Sequence, residues 1–196
     1  MKLLKIYGLI LSAGFSGRMQ KFKPLLDYKG KSFIQNIVKQ LSTVCDKIII
    51  VTGYKADEIK ENILQLKNKI SYELVFNPDY ERGMFTSLQA GIRAVKGADW
   101  VLYHFVDQPG LPKTFYSDLI KQIDENHNWI QPSVKGEKGH PILIRHELFK
   151  LIIDASINSN LRDVSRNSIV KKKFWECEYK EIFQDIDKEE DYRNIK

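Results

Sequence analysis

The chain of 196 residues has little of what builds most metal centres and nucleophilic sites. Its two cysteines, Cys45 and Cys177, are far apart and in no ligand spacing. That excludes a zinc ribbon and a disulfide framework, and it leaves two free, buried thiols in a reducing cytoplasm as the expectation. The four histidines are scattered without a metal-ligand pattern. No apolar run is long enough to span a bilayer, so no membrane partner is expected. There is no internal repeat, no low-complexity segment, and no Ser/His/Asp or Cys/His arrangement suited to activating a nucleophile. Whatever chemistry the chain performs has to come from cations and carboxylates.

What remains is ordinary globular material. Residues 1–196 fit a single domain, and 43% hydrophobic with 29% charged residues supports one large core. Thirty-one Lys and Arg face 25 Asp and Glu, a formal net charge of +6. That balance suits nucleic acid or anionic small molecules. No aromatic-rich basic motif favours nucleic acid, so small anions are the expected partners.

The richest stretch is Leu9 to Lys23. An apolar run from Ile6 to Leu11, interrupted by Gly8, breaks into small residues at Ser12, Ala13, Gly14, Ser16 and Gly17, then ends in Arg18, Lys21 and Lys23. A buried strand opening into such a loop holds polyphosphate well. Small residues let backbone N–H groups approach the anion, Arg supplies a planar fork, and Lys supplies a point charge. The stretch lacks the Gly-Lys-Ser/Thr ending of a Walker loop and the third glycine of a dinucleotide fingerprint. Two other readings exist for it alone: a plain strand–turn with stray cations, and a secretory signal, whose apolar core would be short and interrupted by Tyr7 and Gly8.

Along the chain, Ser32 caps an expected helix with apolar residues at Phe33, Ile34, Ile37, Val38 and Leu41. Lys47–Thr52 reads as a central parallel strand. A helix from about Ala56 turns Ile59, Ile63, Leu64 and Leu66 inward, and Ser71–Phe76 is a strand. A loop over 79–87 leads to a helix stopped by Gly97, with Thr86 or Ser87 as its cap. Trp100–Val106 is a strand, and Leu111-Pro112 starts a helix running to about Asn126. A short strand at Trp129–Gln131, a hairpin-like loop at 135–139, helical stretches at Glu147–Ile153 and Leu161–Ser168, and a strand at Phe174–Glu178 complete the pattern. The rhythm predicts a doubly wound α/β fold: a mostly parallel sheet, helices on both faces, and ligands at the C-terminal strand ends.

Three carboxylates attract attention. Asp107 follows a buried apolar strand, where a carboxylate needs a cation; Mg²⁺ is the natural one beside phosphates, and a turn or helix cap is the alternative. Asp185 and Asp187 alternate as on one strand face, although a solvated acidic helix start reads the same residues. The segment from Asn77 to Gly91 carries Gly83, Met84 and Ser87 before a helix whose N-terminus favours phosphate or a base carbonyl. His140, in Gly139-His140-Pro141, is an acid–base candidate, or a hydrogen-bonded structural residue.

The pattern Ala13-Gly14-x-Ser16-x-Arg18-Met19-x-x-x-Lys23-x-Leu25-Leu26, followed by Asp107-x-Pro109, resembles the nucleotidyltransferases of the molybdenum cofactor, MobA-like NTP transferases with a Rossmann-like fold. The resemblance extends in order to about Ile195. It implies that Ser12, Ala13, Gly14, Ser16, Gly17, Arg18, Lys23, Gly83, Met84 and Ser87 bind the nucleotide, with Arg18 and Lys23 on its phosphates. It implies that Asp107 and Asp187, or Asp185 as a substitute, hold Mg²⁺. Arg18, Lys23 and Asp107 are then the catalytic set. Gly139-His140-Pro141 resembles the cytidylyltransferase branch and places His140 toward the acceptor. CTP and molybdopterin are the implied substrates, with a molybdenum enzyme as possible client. Guanylyl transfer, transfer to a sugar or polyol phosphate, and a non-catalytic nucleotide-binding module are the alternatives. Two departures stand out: Gln20 where the family usually has Gly, and Lys188 where it usually has Thr.

Overall fold

A computed structural model describes residues 3–19, 21–66 and 70–195. In chain order the elements are β1 (Ile6–Ser12), β2 (Asp27–Tyr28), β3 (Lys31–Ser32), α1 (Phe33–Leu41), β4 (Lys47–Thr52), α2 (Ala56–Leu64), β5 (Tyr72–Phe76), α3 (Met84–Ala94), β6 (Trp100–Phe105), α4 (Lys113–Ile120), β7 (Trp129–Val134), β8 (Glu137–Lys138), β9 (Ile142–Arg145), α5 (Phe149–Asp154), α6 (Leu161–Val164), β10 (Lys172–Glu176) and α7 (Glu189–Asn194).

The main sheet runs β10-β7-β9-β6-β1-β4-β5, with β8 hairpinned onto β7 and β2–β3 forming a separate ribbon. β1 lies between β4 and β6, parallel to both, and β5 extends the parallel set. β9 runs antiparallel between β6 and β7, while β10 is parallel to β7. The strand order reverses at β1, so the crevice beyond the ends of β1 and β6 is the switch point of an α/β sheet. The register sets Leu11 beside Phe105 and Ser12 beside Thr52, which brings loop 13–23 and Asp107 to the same edge.

Alternation along each strand divides the core. Ile10, Ile48, Ile50 and Leu102 pack with Ile34, Ile37, Phe115 and Tyr116 of α1 and α4. Leu9, Leu11, Ile49, Val51 and Val101 pack with Leu88, Ile92 and Ile152 of α3 and α5. Both faces are covered, which explains why the central strands read as continuous apolar runs. No helix among the described residues is long and apolar enough to cross a membrane.

Local chemistry sets the ends of the elements. Ser32 caps α1: its Oγ accepts from the Gln35 N–H at 3.2 Å while its own N–H donates to Gln35 Oε1 at 3.3 Å, a capping box. α4 stops at Ile120, short of Asn126, because Asp124 Oδ1 accepts from the N–H groups of Asn126 and His127 and draws that stretch into an Asx-type turn. α3 starts at Met84, earlier than the pattern suggested, with Gly83 at φ +110 as its N-cap. Leu64 does not turn inward; it is exposed at the end of α2, whose buried residues are Ile59 and Ile63. The segment with Asp185 and Asp187 is not a strand: it is irregular chain between a 3-10 turn at Lys180–Phe183 and α7. Cys45 and Cys177 are free thiols, both half-buried.

Candidate active site

The loop after β1 closes on itself through small polar groups. Ser16 takes a left-handed conformation, φ 57, its carbonyl accepts from the Met19 N–H, and its Oγ accepts from the Lys23 N–H at 3.1 Å. Met19 is buried with Phe33, Ile186 and Tyr192, so the loop and the C-terminal segment share one small core. Tyr192 donates to the Asp27 carbonyl at 3.0 Å, and Lys21 pairs with Glu189 at 2.9 Å, reinforcing that join. The far side of the loop rests on the end of β4, where the Tyr54 N–H donates to the Ala13 carbonyl at 3.0 Å. Gly53 is required there: a Cβ would lie 2.5 Å from Tyr80 and 2.9 Å from the Ala13 carbonyl.

The charged centre forms where this loop meets the turn after β6. Lys23 is 8% exposed. Its Nζ lies 2.5 Å from Asp187 Oδ1 and 3.8 Å from Asp107 Oδ2. Asp107 accepts the Ile186 N–H on its carbonyl at 3.0 Å, which holds the 185–187 segment against the β6 turn. Gln108 Nε2 donates to Asp185 Oδ1 at 2.7 Å and to the Ile182 carbonyl at 3.0 Å, so Asp185 is held by an amide while Asp187 meets the ammonium. Burial raises the Asp107 carboxyl to about 6; Asp185 and then Asp187 add to the rise, and Lys23 opposes it. Its Oδ1 is buried and has no hydrogen-bond partner among the described residues.

That orphaned oxygen supplies the test for a divalent ion. A hard cation accepts carboxylate oxygens, and Mg²⁺ takes one or two of them together with substrate phosphates. Asp107 and Asp187 fit such a partial site. Among the described residues no group of three or more His, Cys, Asp or Glu side chains is placed to hold a metal ion.

The N-terminus of α3 forms the opposite wall. Gly83, Met84 and Ser87 face a cavity of about 330 Å³ that Ser12, Ala13, Gly14, Ser16, Lys23 and Asp107 also line. Ser87 and Thr86 do not cap the helix, since both lie within its first turn. Asn77 is the organiser here. Its amide donates to Thr86 Oγ1 at 3.0 Å and to Ser87 Oγ at 2.9 Å, and Thr86 Oγ1 lies 2.9 Å from the carbonyls of both Asp79 and Gly83. The rigid helix start presents N–H groups and the positive end of the dipole to the cavity.

The expected residues therefore gather around one crevice, with distinctions. Gly17 does not line the cavity. The Arg18 side chain and Gln20 lie outside the described residues. His140 stands beyond the crevice and lines a neighbouring cavity. Burial lowers its imidazole to about 4, and its ring packs 4.4 Å from that of Phe105, which itself lines the first cavity. Tyr80, which lies in the segment from Asn77 to Gly91, also lines the cavity, and Phe15 and Phe105 are cavity residues for which the chain offered no motif. Gln108 was hidden as the unassigned position of Asp107-x-Pro109, and only its buried amide reveals its place.

The MobA-like NTP transferase domain profile matches residues 8–173. The chain is 30% identical over 194 residues to a molybdenum cofactor cytidylyltransferase of Escherichia coli K12, covering 96% of this chain and 94% of that one. It is 24% identical over 160 residues to a probable molybdenum cofactor guanylyltransferase of Bacillus cereus Q1, covering 81% and 77%. A nucleotidyl transferase structure from Methanothermobacter superposes with a TM-score of 0.82 at 23% identity, over 97% of this chain and 95% of that one.

Proposed function

We infer, from the premise that the chain belongs to the MobA-like NTP transferase family and is a nucleotidyltransferase, that it transfers CMP from CTP to the phosphate of molybdopterin. An oxygen of the acceptor phosphate bonds to the α-phosphorus, the bond from that phosphorus to the β-bridging oxygen breaks, and pyrophosphate leaves. The acceptor phosphate is already ionised, so no strong base is needed. The protein's task is to align two anions and neutralise developing charge. That fits a site holding cations and carboxylates and no activated nucleophile.

The observation that carries this reading is the buried Asp107 Oδ1 without a hydrogen-bond partner among the described residues, beside Lys23, at the mouth of a small-residue loop. In this reading Asp107 and Asp187 hold Mg²⁺, which neutralises phosphate oxygens when bound. The loop N–H groups from Ser12 to Ser16, with Lys23 and Arg18, take the triphosphate. The N-terminus of α3, with Gly83, Met84 and Ser87, takes another polar part of the nucleotide. His140, neutral at physiological pH, stands on the acceptor side. The preference for CTP rests on Gly139-His140-Pro141 and on the relative named a cytidylyltransferase; relatives named guanylyltransferases keep GTP as the second reading. A single cytoplasmic domain over 1–196, serving a molybdenum enzyme, completes the proposal.

Pyrophosphate release from CTP, GTP, ATP and UTP with Mg²⁺, with and without molybdenum-loaded molybdopterin, tests it. Release from CTP that depends on molybdopterin is expected. Release from GTP alone assigns the guanylyl reaction, and silence with all four rejects this acceptor.

A further inference from the structure

A second cavity, about 470 Å³, lies on the far side of His140. Its charge is one-sided. Lys138, Arg162, Arg166 and Lys172 line it, and among the described residues no carboxylate does. These four cations come from β8, α6, the turn after α6 and β10, so the fold assembles them from separate segments. An anion seated among them would meet positive charge from every one of these segments.

The floor is built, not incidental. Trp129 Nε1 donates to Gln131 Oε1 at 3.3 Å, and Gln131 Nε2 donates to the Gly139 carbonyl at 3.1 Å, which fixes the chain at His140. His140 Nδ1 is buried with no hydrogen-bond partner among the described residues. The Lys138 ammonium lies 4.3 Å from the centre of the Phe174 ring, held at the rim. Arg166 also meets Asp163 at 3.7 Å, and that exposed pair contributes little.

This cavity borders the nucleotide crevice in two ways. His140 packs on Phe105, which lines the crevice. A third cavity of about 360 Å³ shares Gly83 and Met84 with the crevice and Leu161 with the cationic cavity. The cationic cavity is therefore the neighbour of the nucleotide crevice across the His140–Phe105 pair.

We propose that the cavity lined by Lys138, Arg162, Arg166 and Lys172 is a separate anion site that binds the remote end of the acceptor, and that the acceptor is a small molecule with at least one anionic group besides its attacking phosphate. This rests on the reading of the first cavity as the nucleotide site. The remote anionic group gives the acceptor an anchor independent of the nucleotide, and a neutral-ended phosphate ester lacks that anchor.

The test uses inorganic pyrophosphate as a probe, titrated calorimetrically into the full chain with the nucleotide crevice saturated by a non-hydrolysable CTP analogue. One saturable site is expected. R162A/R166A weakens it by about tenfold or more, two charge-assisted contacts being lost. R162K/R166K keeps it within about threefold, because charge is retained. Both arginines are exposed, and unchanged affinity for the CTP analogue reports that each variant is folded. Equal pyrophosphate affinity in R162A/R166A, absence of a saturable site, or an equal fall in CTP-analogue affinity overturns the proposal. So does tight binding of single-stranded RNA that strengthens with its length, which would make the cavity part of a nucleic-acid track. If no phosphorylated acceptor is ever converted, the proposed reaction fails while this titration still decides the anion site.

Discussion

Replacing Asp107 by Asn should stabilise the metal-free protein at alkaline pH while removing its activity. The Asp107 carboxyl is raised from its ordinary 3.8 to about 6, chiefly by burial. A group whose folded-state value is raised gives stability that is complete below its unfolded value and is lost as pH rises through the folded one. As pH rises from about 4 through about 6 the parent therefore loses stability on the order of 3 kcal/mol, because Asp107 ionises in place. Asn keeps the shape and the Oδ1 acceptor but never ionises. Urea denaturation in EDTA should show parent and D107N close together near about pH 4. A gap of about 2–3 kcal/mol in favour of the variant should open by about pH 8. Mg²⁺ should then narrow the gap by stabilising the parent alone, by about 2.7 kcal/mol at a hundredfold excess over its dissociation constant. Turnover in D107N should fall by about a hundredfold or more. If D107N in EDTA is no more stable than the parent at about pH 8, burial does not disfavour the ionised Asp107 and the reasoning is refuted.

Three further outcomes follow from the same geometry. Lys23→Met removes the ammonium that meets Asp187 and Asp107, so Mn²⁺ affinity without nucleotide, measured by electron paramagnetic resonance, should rise about fivefold or more while turnover falls. Unchanged Mn²⁺ affinity would mean that Lys23 and the metal do not share these carboxylates. Gly53→Ala forces a Cβ into Tyr80 and the Ala13 carbonyl, and should cost about 2 kcal/mol in thermal unfolding and weaken NTP binding. Asn77→Ala strips the shared donor from two buried hydroxyls and should cost about 2–3 kcal/mol by calorimetry, with the α3 wall loosened and KM for the NTP raised.

Much of the fold was legible in the chain because central strands buried on both faces leave an unmistakable apolar run, as at Lys47–Thr52. Loop 12–23 was legible for a related reason: small residues followed by cations at a strand end have few uses. What the pattern missed depends on distant partners. Asp124 ends α4 through a side-chain turn that competes with the helix. Asp185 and Asp187 take irregular chain because the Asp107 carbonyl binds the Ile186 N–H, a pairing between positions far apart in the sequence. Asn77 and Gln108 gain their importance only through the hydroxyls and the carboxylate they meet. The four cations around His140 are unremarkable surface residues in sequence; the pairing of β10 with β7 and the placement of α6 bring them together.

The most direct test follows the nucleotide's own phosphorus atoms. With Mg²⁺ and molybdenum-loaded molybdopterin, CTP labelled at the α-phosphorus should leave its label in a cytidylylated acceptor, and CTP labelled at the γ-phosphorus should leave it in pyrophosphate. Label from the γ-phosphorus on the acceptor, or α-label recovered only as free CMP, would contradict the nucleotidyl transfer on which the account rests.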